Sequence, residues 1–145
     1  MTIARAYGLA MKSMLNKEVD FDTDTVKVML TTALYVPNQD THQYKSSVTN
    51  EVSGTGYTAG GVTVTGKVVS YNAATNTLTL DATTDPAWTT VTLTDIRYAV
   101  FYVDTGSAAT SPLLSYMDFE TDQAATAENL TIQLPSSGIL QLVAA

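Results

Sequence analysis

The sequence predicts a mainly β domain, an antiparallel β-sandwich or barrel-like fold with one N-terminal α-helix. Two observations lead there. Apolar and polar residues alternate over about eight short segments divided by Gly, Pro, Asn and Asp turn signals, the spacing of a sandwich or barrel. One of these segments, Ile96-Arg97-Tyr98-Ala99-Val100-Phe101-Tyr102-Val103, is apolar on both alternating sets of positions. A strand with two apolar faces must be covered on both sides, so it belongs at the centre of a sheet. Alternation expects Ile96, Tyr98, Val100 and Tyr102 on one face and Ala99, Phe101 and Val103 on the other.

In chain order, residues 3–16 read as the single helix. Ile3, Tyr7, Ala10 and Met14 fall at helical spacing, Met11 and Leu15 widen the stripe, and Thr2 is the expected N-cap. Residues 26–35 alternate as a strand, stopped by Pro37-Asn38-Gln39-Asp40. Residues 36–61 form a long polar segment, and a stretch of that length without periodicity is expected to be a contact loop. Residues 62–71 and 77–81 form a hairpin around Asn72-Ala73-Ala74-Thr75-Asn76. Residues 90–93 give a short strand, 96–103 the central one and 113–119 its returning partner. Residues 128–134 and 139–143 close the chain around Pro135-Ser136-Ser137-Gly138. No internal repeat or linker interrupts residues 1–145, which reads as a single domain.

The 145 residues suffice to bury a core without staples. Cysteine is absent, which excludes disulfides and thiolate metal sites. The formal charge is −7, so a diffuse attraction to phosphate backbones is not expected and nucleic acid is an improbable partner. Arg5, Lys12, Lys17 and Lys27 gather near the start of the chain and are expected to solvate that end or to meet an acidic neighbour. No apolar run approaches the ~20 residues of a membrane span, and no membrane partner is expected.

Several motifs fall short of the chemistry they suggest. Gly61-Val62-Thr63-Val64-Thr65-Gly66-Lys67-Val68 lacks the hydroxyl after its lysine and the following helix that a phosphate loop needs. Gly54-Thr55-Gly56-Tyr57-Thr58-Ala59 lacks the flanking strand and helix of a dinucleotide site. Asp20, Asp22 and Asp24 have a calcium-like spacing and are the one metal candidate. Thr25 and Thr31 stand where an EF-hand has glycine and glutamate, so a solvated acidic turn is the simpler reading. His42 is the only histidine, and no nucleophile motif accompanies it. Asp118, Glu120 and Asp122 share a strand face in the spacing of sugar-cleaving carboxylates, with a hydrated strand end as the plainer account. No catalytic residue and no cofactor follow. Tyr35, Tyr44 and Tyr57, with His42, Arg5 and Lys12, are the candidate protein-contact residues, since Tyr is favoured at interfaces.

Four phrases of the sequence resemble a group of small tailed-phage virion proteins. They are Leu15-Asn16-Lys17-Glu18-Val19-Asp20-Phe21-Asp22-Thr23-Asp24-Thr25-Val26-Lys27-Val28, Tyr35-Val36-Pro37-Asn38-Gln39-Asp40-Thr41-His42, Asn50-Glu51-Val52-Ser53-Gly54-Thr55-Gly56-Tyr57-Thr58-Ala59-Gly60-Gly61, and Arg97-Tyr98-Ala99-Val100 with Thr110-Ser111-Pro112-Leu113-Leu114. The resemblance implies a non-enzymatic structural protein of the virion, assembled in the host cytoplasm. It implies a head-decoration (capsid cement) protein first and a tail, adaptor or fibre-base component second. The implied partners are the major capsid protein or another virion protein, and further copies of itself, with a trimer as one form. The N-terminal helix and residues 36–61 are the parts expected to reach a neighbour. A carbohydrate-binding β domain is the more remote reading.

Overall fold

The computed structural model describes residues 4–144. In chain order the elements are β1 (Ala4–Ala6), α1 (Gly8–Leu15), β2 (Val26–Thr31), a 3-10 turn (Lys45–Ser47), β3 (Val62–Thr63), β4 (Lys67–Asn72), β5 (Thr77–Ala82), β6 (Ala87–Val103), β7 (Leu113–Thr131) and β8 (Leu140–Val143). All strand pairs are antiparallel. A five-stranded sheet, β1-β7-β6-β2-β3, packs against a three-stranded sheet, β4-β5-β8. The mainly β, sandwich-like architecture and the helix near the N-terminus are as the sequence predicts.

β6 is the middle strand of the larger sheet, and its second half is buried on both sides. Ala99, Phe101 and Val103 enter the core between the sheets, beside Val26, Val28, Leu30, Leu80 and Leu140. Val100 and Tyr102 enter a second cluster on the outer face, with Tyr7, Met29, Tyr35, Leu113 and Tyr116. Among the described residues no strand covers that outer face. The turn before α1 and the long segment after β2 cover it instead, and the Tyr7 and Tyr35 hydroxyls meet there at 2.8 Å. The tyrosine rings pack edge to face or tilted, with centroids 5.2 Å apart for Tyr7–Tyr116, 6.1 Å for Tyr98–Tyr116 and 6.2 Å for Tyr35–Tyr98.

The facing of Ile96 differs from strict alternation. Ile96 lies in the inter-sheet core with Ala99 and Phe101. The register shifts between Ile96 and Tyr98, one of several shifts along the β6–β7 pair: β6 advances from 96 to 98 while β7 runs from Gln123 to Asp118, and Ile96 and Tyr98 end on opposite faces. Residues 90–93 and 128–134 are not separate strands. The first lies within β6, and most of the second is the far end of β7, which runs unbroken through the polar stretch 120–127. That stretch has low β propensity, and Ala125 is its one buried residue. It pairs because β6 opposite it carries the buried Val91, Leu93 and Ile96.

Residues 62–71 divide at Gly66 into β3 and β4. The strand expected at 26–35 ends at Thr31. The helix is shorter than residues 3–16. Ala4–Ala6 pairs with β7, and Tyr7 donates its backbone N–H to Leu114 at 3.1 Å, so α1 starts only at Gly8. Thr2 and Ile3 lie outside the described residues. The helix ends in a Schellman arrangement: Lys17 takes φ 62°, its N–H meets the Met14 carbonyl at 3.2 Å, and the Glu18 N–H meets Ser13 at 2.9 Å.

Deleting the Phe101 ring should leave a cavity at the heart of both sheets. Phe101→Ala is expected to lower unfolding stability by about 3–5 kcal/mol. Leu15→Ser, at a side chain 86% exposed, is expected to stay within about 0.5 kcal/mol of the parent. Urea titration of both variants checks the pair.

Candidate interaction surface

Residues 36–61 are expected to be a contact loop, and the structure shows the segment hydrogen-bonded to the body of its own chain. Its first part lies over the outer face of the larger sheet, and its second part runs along β2, with Val52 and Tyr57 packed on the inter-sheet core. Lys45 N–H and Ser46 N–H donate to Ser111 and Ala108 at 2.8 and 2.9 Å, and the Leu113 N–H donates to Gln43 at 2.8 Å. Val52 N–H reaches Leu30 at 3.0 Å, and Thr92 N–H reaches Thr55 at 2.9 Å. Glu51 accepts the Tyr57 hydroxyl at 2.7 Å and the Gly60 N–H at 2.6 Å, while Tyr102 donates to the Gly60 carbonyl at 2.7 Å. The Gly-rich motifs serve this seating. A Cβ on Gly54 would stand 2.2 Å from the Thr92 oxygen, and one on Gly61 only 1.8 Å from the Val28 oxygen. Only glycine lets the backbones come so close. Neither motif is followed by the helix that a phosphate or dinucleotide site needs.

Tyr35, expected as a contact residue, is 1% exposed and belongs to the second cluster. His42 stacks on it, ring centroids 5.7 Å apart. The Tyr35 hydroxyl lies 3.1 Å from His42 Nδ1, and the Asn38 N–H approaches the same nitrogen at 3.3 Å. The Asn38 N–H can only donate, so Nδ1 accepts and the imidazole is neutral with its proton on Nε2. Tyr7 therefore donates to Tyr35, which donates to His42. Burial holds the imidazole below the usual histidine value and pushes the Tyr7 and Tyr35 phenols up, with the Tyr35 hydrogen bond adding to the rise at Tyr7. Tyr57 is half-buried. It stacks on Trp88 at 6.0 Å and donates to Glu51, and burial raises its pKa most. Tyr44, half-buried, donates to the Glu18 carboxylate at 3.1 and 3.2 Å. Arg5 and Lys12 are exposed, on β1 and α1. The N-terminal segment is no detachable arm, because β1 is paired with β7 and Gln39 Nε2 and the Ser13 hydroxyl tie it to the body.

Asp20, Asp22 and Asp24 do not assemble a metal site. The Asp24 carboxylate accepts the Asp20 N–H at 2.7 Å, and Asp20 caps the Thr23 N–H at 3.4 Å. Among the described residues no group of three or more His, Asp and Glu is arranged to hold an ion. Asp118 and Asp122 flank Arg97, whose Nε donates to Asp118 at 2.8 Å and whose Nη1 lies 3.8 Å from Asp122. Glu120 takes φ 65° and donates its N–H to Asp118 at 2.7 Å. Burial pushes Asp118 up, but the guanidinium and that N–H outweigh it and hold the carboxyl below its usual range. A glycosidic general acid needs the opposite shift. Lys27 is spent on Asp104 at 2.8 Å. No helix among the described residues is long and apolar enough to cross a membrane.

What the surface does offer is exposed apolar side chains, among them Met11 and Leu15, which helical spacing places in the apolar stripe. Leu34 and Val36 are 78% and 72% exposed in the turn after β2, on either side of the buried Tyr35. Leu15 and Met11 stand out on α1, and Val68, Val69 and Tyr71 on β4. The one sequence signal for the last group is the adjacent pair Val68-Val69, which interrupts the alternation of that segment and puts an apolar side chain on each face. A cavity of about 300 Å³ lies where the β6–β7 ribbon curls, lined by Ile96, Met117, Phe119, Leu130 and Ile132. Comparison of the chain with family models, curated proteins and solved structures finds no match.

The His42 contacts set a pH dependence. Its folded pKa lies below the unfolded value near 6.5, so the unfolded chain takes up the proton first as pH falls. Stability is complete above that value and is lost as pH drops through it toward the folded pKa. Asp104, held low mainly by the Lys27 hydrogen bond, and Asp118 respond only below about pH 4. The urea midpoint is expected to fall between about pH 7.5 and 5.5, and His42→Gln should flatten that slope.

Proposed function

We propose that this chain is a structural protein of a tailed-phage virion, first a head-decoration protein that binds the capsid shell in many copies. The observation that carries the reading is the meeting in space of parts of three of the four phrases that resemble such proteins. Tyr35, Tyr98, Val100 and Leu113 gather on the outer face of β6, while the phrase at 15–28 and Val52 and Tyr57 of the phrase at 50–61 pack with the core between the sheets. The Tyr35 and Tyr98 rings pack with centroids 6.2 Å apart, and Tyr102 donates to Gly60 at 2.7 Å. Pro112 bridges to Tyr44, in the stretch that joins the phrases at 35–42 and 50–61. The likeness therefore includes residues that the fold brings together from distant parts of the chain. Leu34 and Val36 project beside it, side chains of the kind that bury area against another chain.

The mechanism is surface burial across subunit boundaries. A domain whose long loop is already tied down loses little ordering entropy on docking. Repeated, identical contacts suit a symmetric shell, and binding the assembled state in preference to free subunits stabilises it by mass action. Densitometry of purified particles tests the reading. Hundreds of copies are expected for a head coat, about six to a dozen indicate a tail ring, and absence from finished particles overturns the proposal. The double variant Leu34→Ser/Val36→Ser is expected to keep the circular dichroism of the parent and to load particles at least tenfold less well, which a co-sedimentation assay reads.

A further inference from the structure

A sheet edge presents unpaired backbone groups, and proteins ordinarily shorten, cover or charge it. Three of the four edges here are treated so. β1 and β3 are three and two residues long, and the four-residue β8 lies beside β1. β4 differs. It runs six residues, Lys67-Val68-Val69-Ser70-Tyr71-Asn72, with no proline and no break in its register with β5. Its one charged residue does not guard it, because the Lys67 ammonium turns back to the Asp24 carbonyl and over the Phe21 ring at 5.7 Å.

The side chains and the backbone of β4 point to one kind of occupant. Val69 stands opposite Leu80 and Leu140, and Tyr71 opposite Leu78 and Leu142. Both therefore belong to the core-facing side of the smaller sheet, yet they are 40% and 59% exposed. The Leu80 and Asn76 carbonyls accept from Ile139 and Ala144, each at 2.8 Å, and the Gly66 carbonyl accepts from Thr83 at 2.9 Å. Residues 77, 79 and 81 of β5 thus aim their backbone at Asn72, Ser70 and Val68, and the N–H and C=O of Val69 and Tyr71 point outward from the edge. An antiparallel strand can pair there only by opposing outward residues with outward residues. The β4 of a second copy does so about a two-fold axis at Ser70, with Val69 of each copy opposite Tyr71 of the other. That is an aromatic–β-branched cross-strand pair made twice on one apolar face. The chain carries −7, but β4 holds no carboxylate, and the acid in register with it, Asp81, stands one strand inward.

We infer that β4 is a homotypic docking edge through which two copies of this chain join their smaller sheets into one continuous sheet. The contact is isologous and closes at two, and it holds whether or not the chain is found in a virion. Sedimentation of the purified protein tests it: a species of twice 15.5 kDa that dissociates on dilution is expected. Val69→Pro removes an outward N–H without touching a bond to β5, and should give a monomer with unchanged circular dichroism. The chain has no cysteine, so Ser70→Cys reports the register. Facing residues at a non-hydrogen-bonded pair stand about 4.5 Å apart, within disulfide range, and mild oxidation should cross-link Ser70→Cys at least tenfold faster than Val69→Cys. A monomer at every concentration, a dimer that Val69→Pro leaves intact, or equal cross-linking at the two positions overturns the inference.

Discussion

Burial of β6 on both faces is the constraint from which the rest of the architecture follows. A two-faced apolar strand in the middle of a sheet needs two covers, and this chain has only enough regular structure for one. The smaller sheet covers Ala99, Phe101 and Val103. The opposite face, with Val100 and Tyr102, falls to irregular polypeptide. That division explains why a segment of more than twenty residues without strands is nonetheless immobilised. Its backbone groups lie over a sheet and must find partners there, since an unpaired buried amide costs as much as a lost hydrogen bond. Tyrosine suits such a cover, offering apolar area below and a hydroxyl that can be satisfied sideways. The chain from Tyr7 through Tyr35 to His42 is the result.

The same two strands that form the sheet centre also form its far end, and register shifts make this workable. β6 and β7 are 17 and 19 residues long, too long to stay flat given the intrinsic twist of paired strands. Shifts between Trp88 and Tyr98 and positive φ at Thr90, Asp95, Glu120 and Ala127 coil the ribbon. Coiling brings Met117 and Leu130, distant along one strand, to the wall of a single cavity. It also turns Ile96 from the tyrosine-rich face to the inter-sheet core. The acidic residues near the bend are structural in consequence, with Asp118 holding Arg97 and the Glu120 N–H.

A body tied down in this way leaves its interaction potential in small exposed places rather than in a mobile arm. The apolar tip at Leu34 and Val36 and the uncovered edge of β4 lie on different sheets. One suits contact with a dissimilar surface and the other contact with a copy of itself. Such separation lets a chain pair and dock at once, which multiplies weak contacts in a symmetric assembly.

Local sequence determined the fold class, the two-faced central strand, the hairpin turning at residues 72–76 and the turns that divide the segments, because these rest on side-chain period and backbone preference within a few residues. It did not determine the individual strand bounds: among the described residues two expected pairs fuse into β6 and β7, residues 62–71 divide, and β1 comes from the expected helix. Tertiary structure alone decided the rest. Alternation cannot say that Tyr35 is core and Leu34 surface, because that depends on which polypeptide lies over β6. Nor can it say that Val69 and Tyr71, on the core-facing side of β4, are left open at an edge. Only the order of strands in the sheets, set by contacts far apart in the chain, decides that.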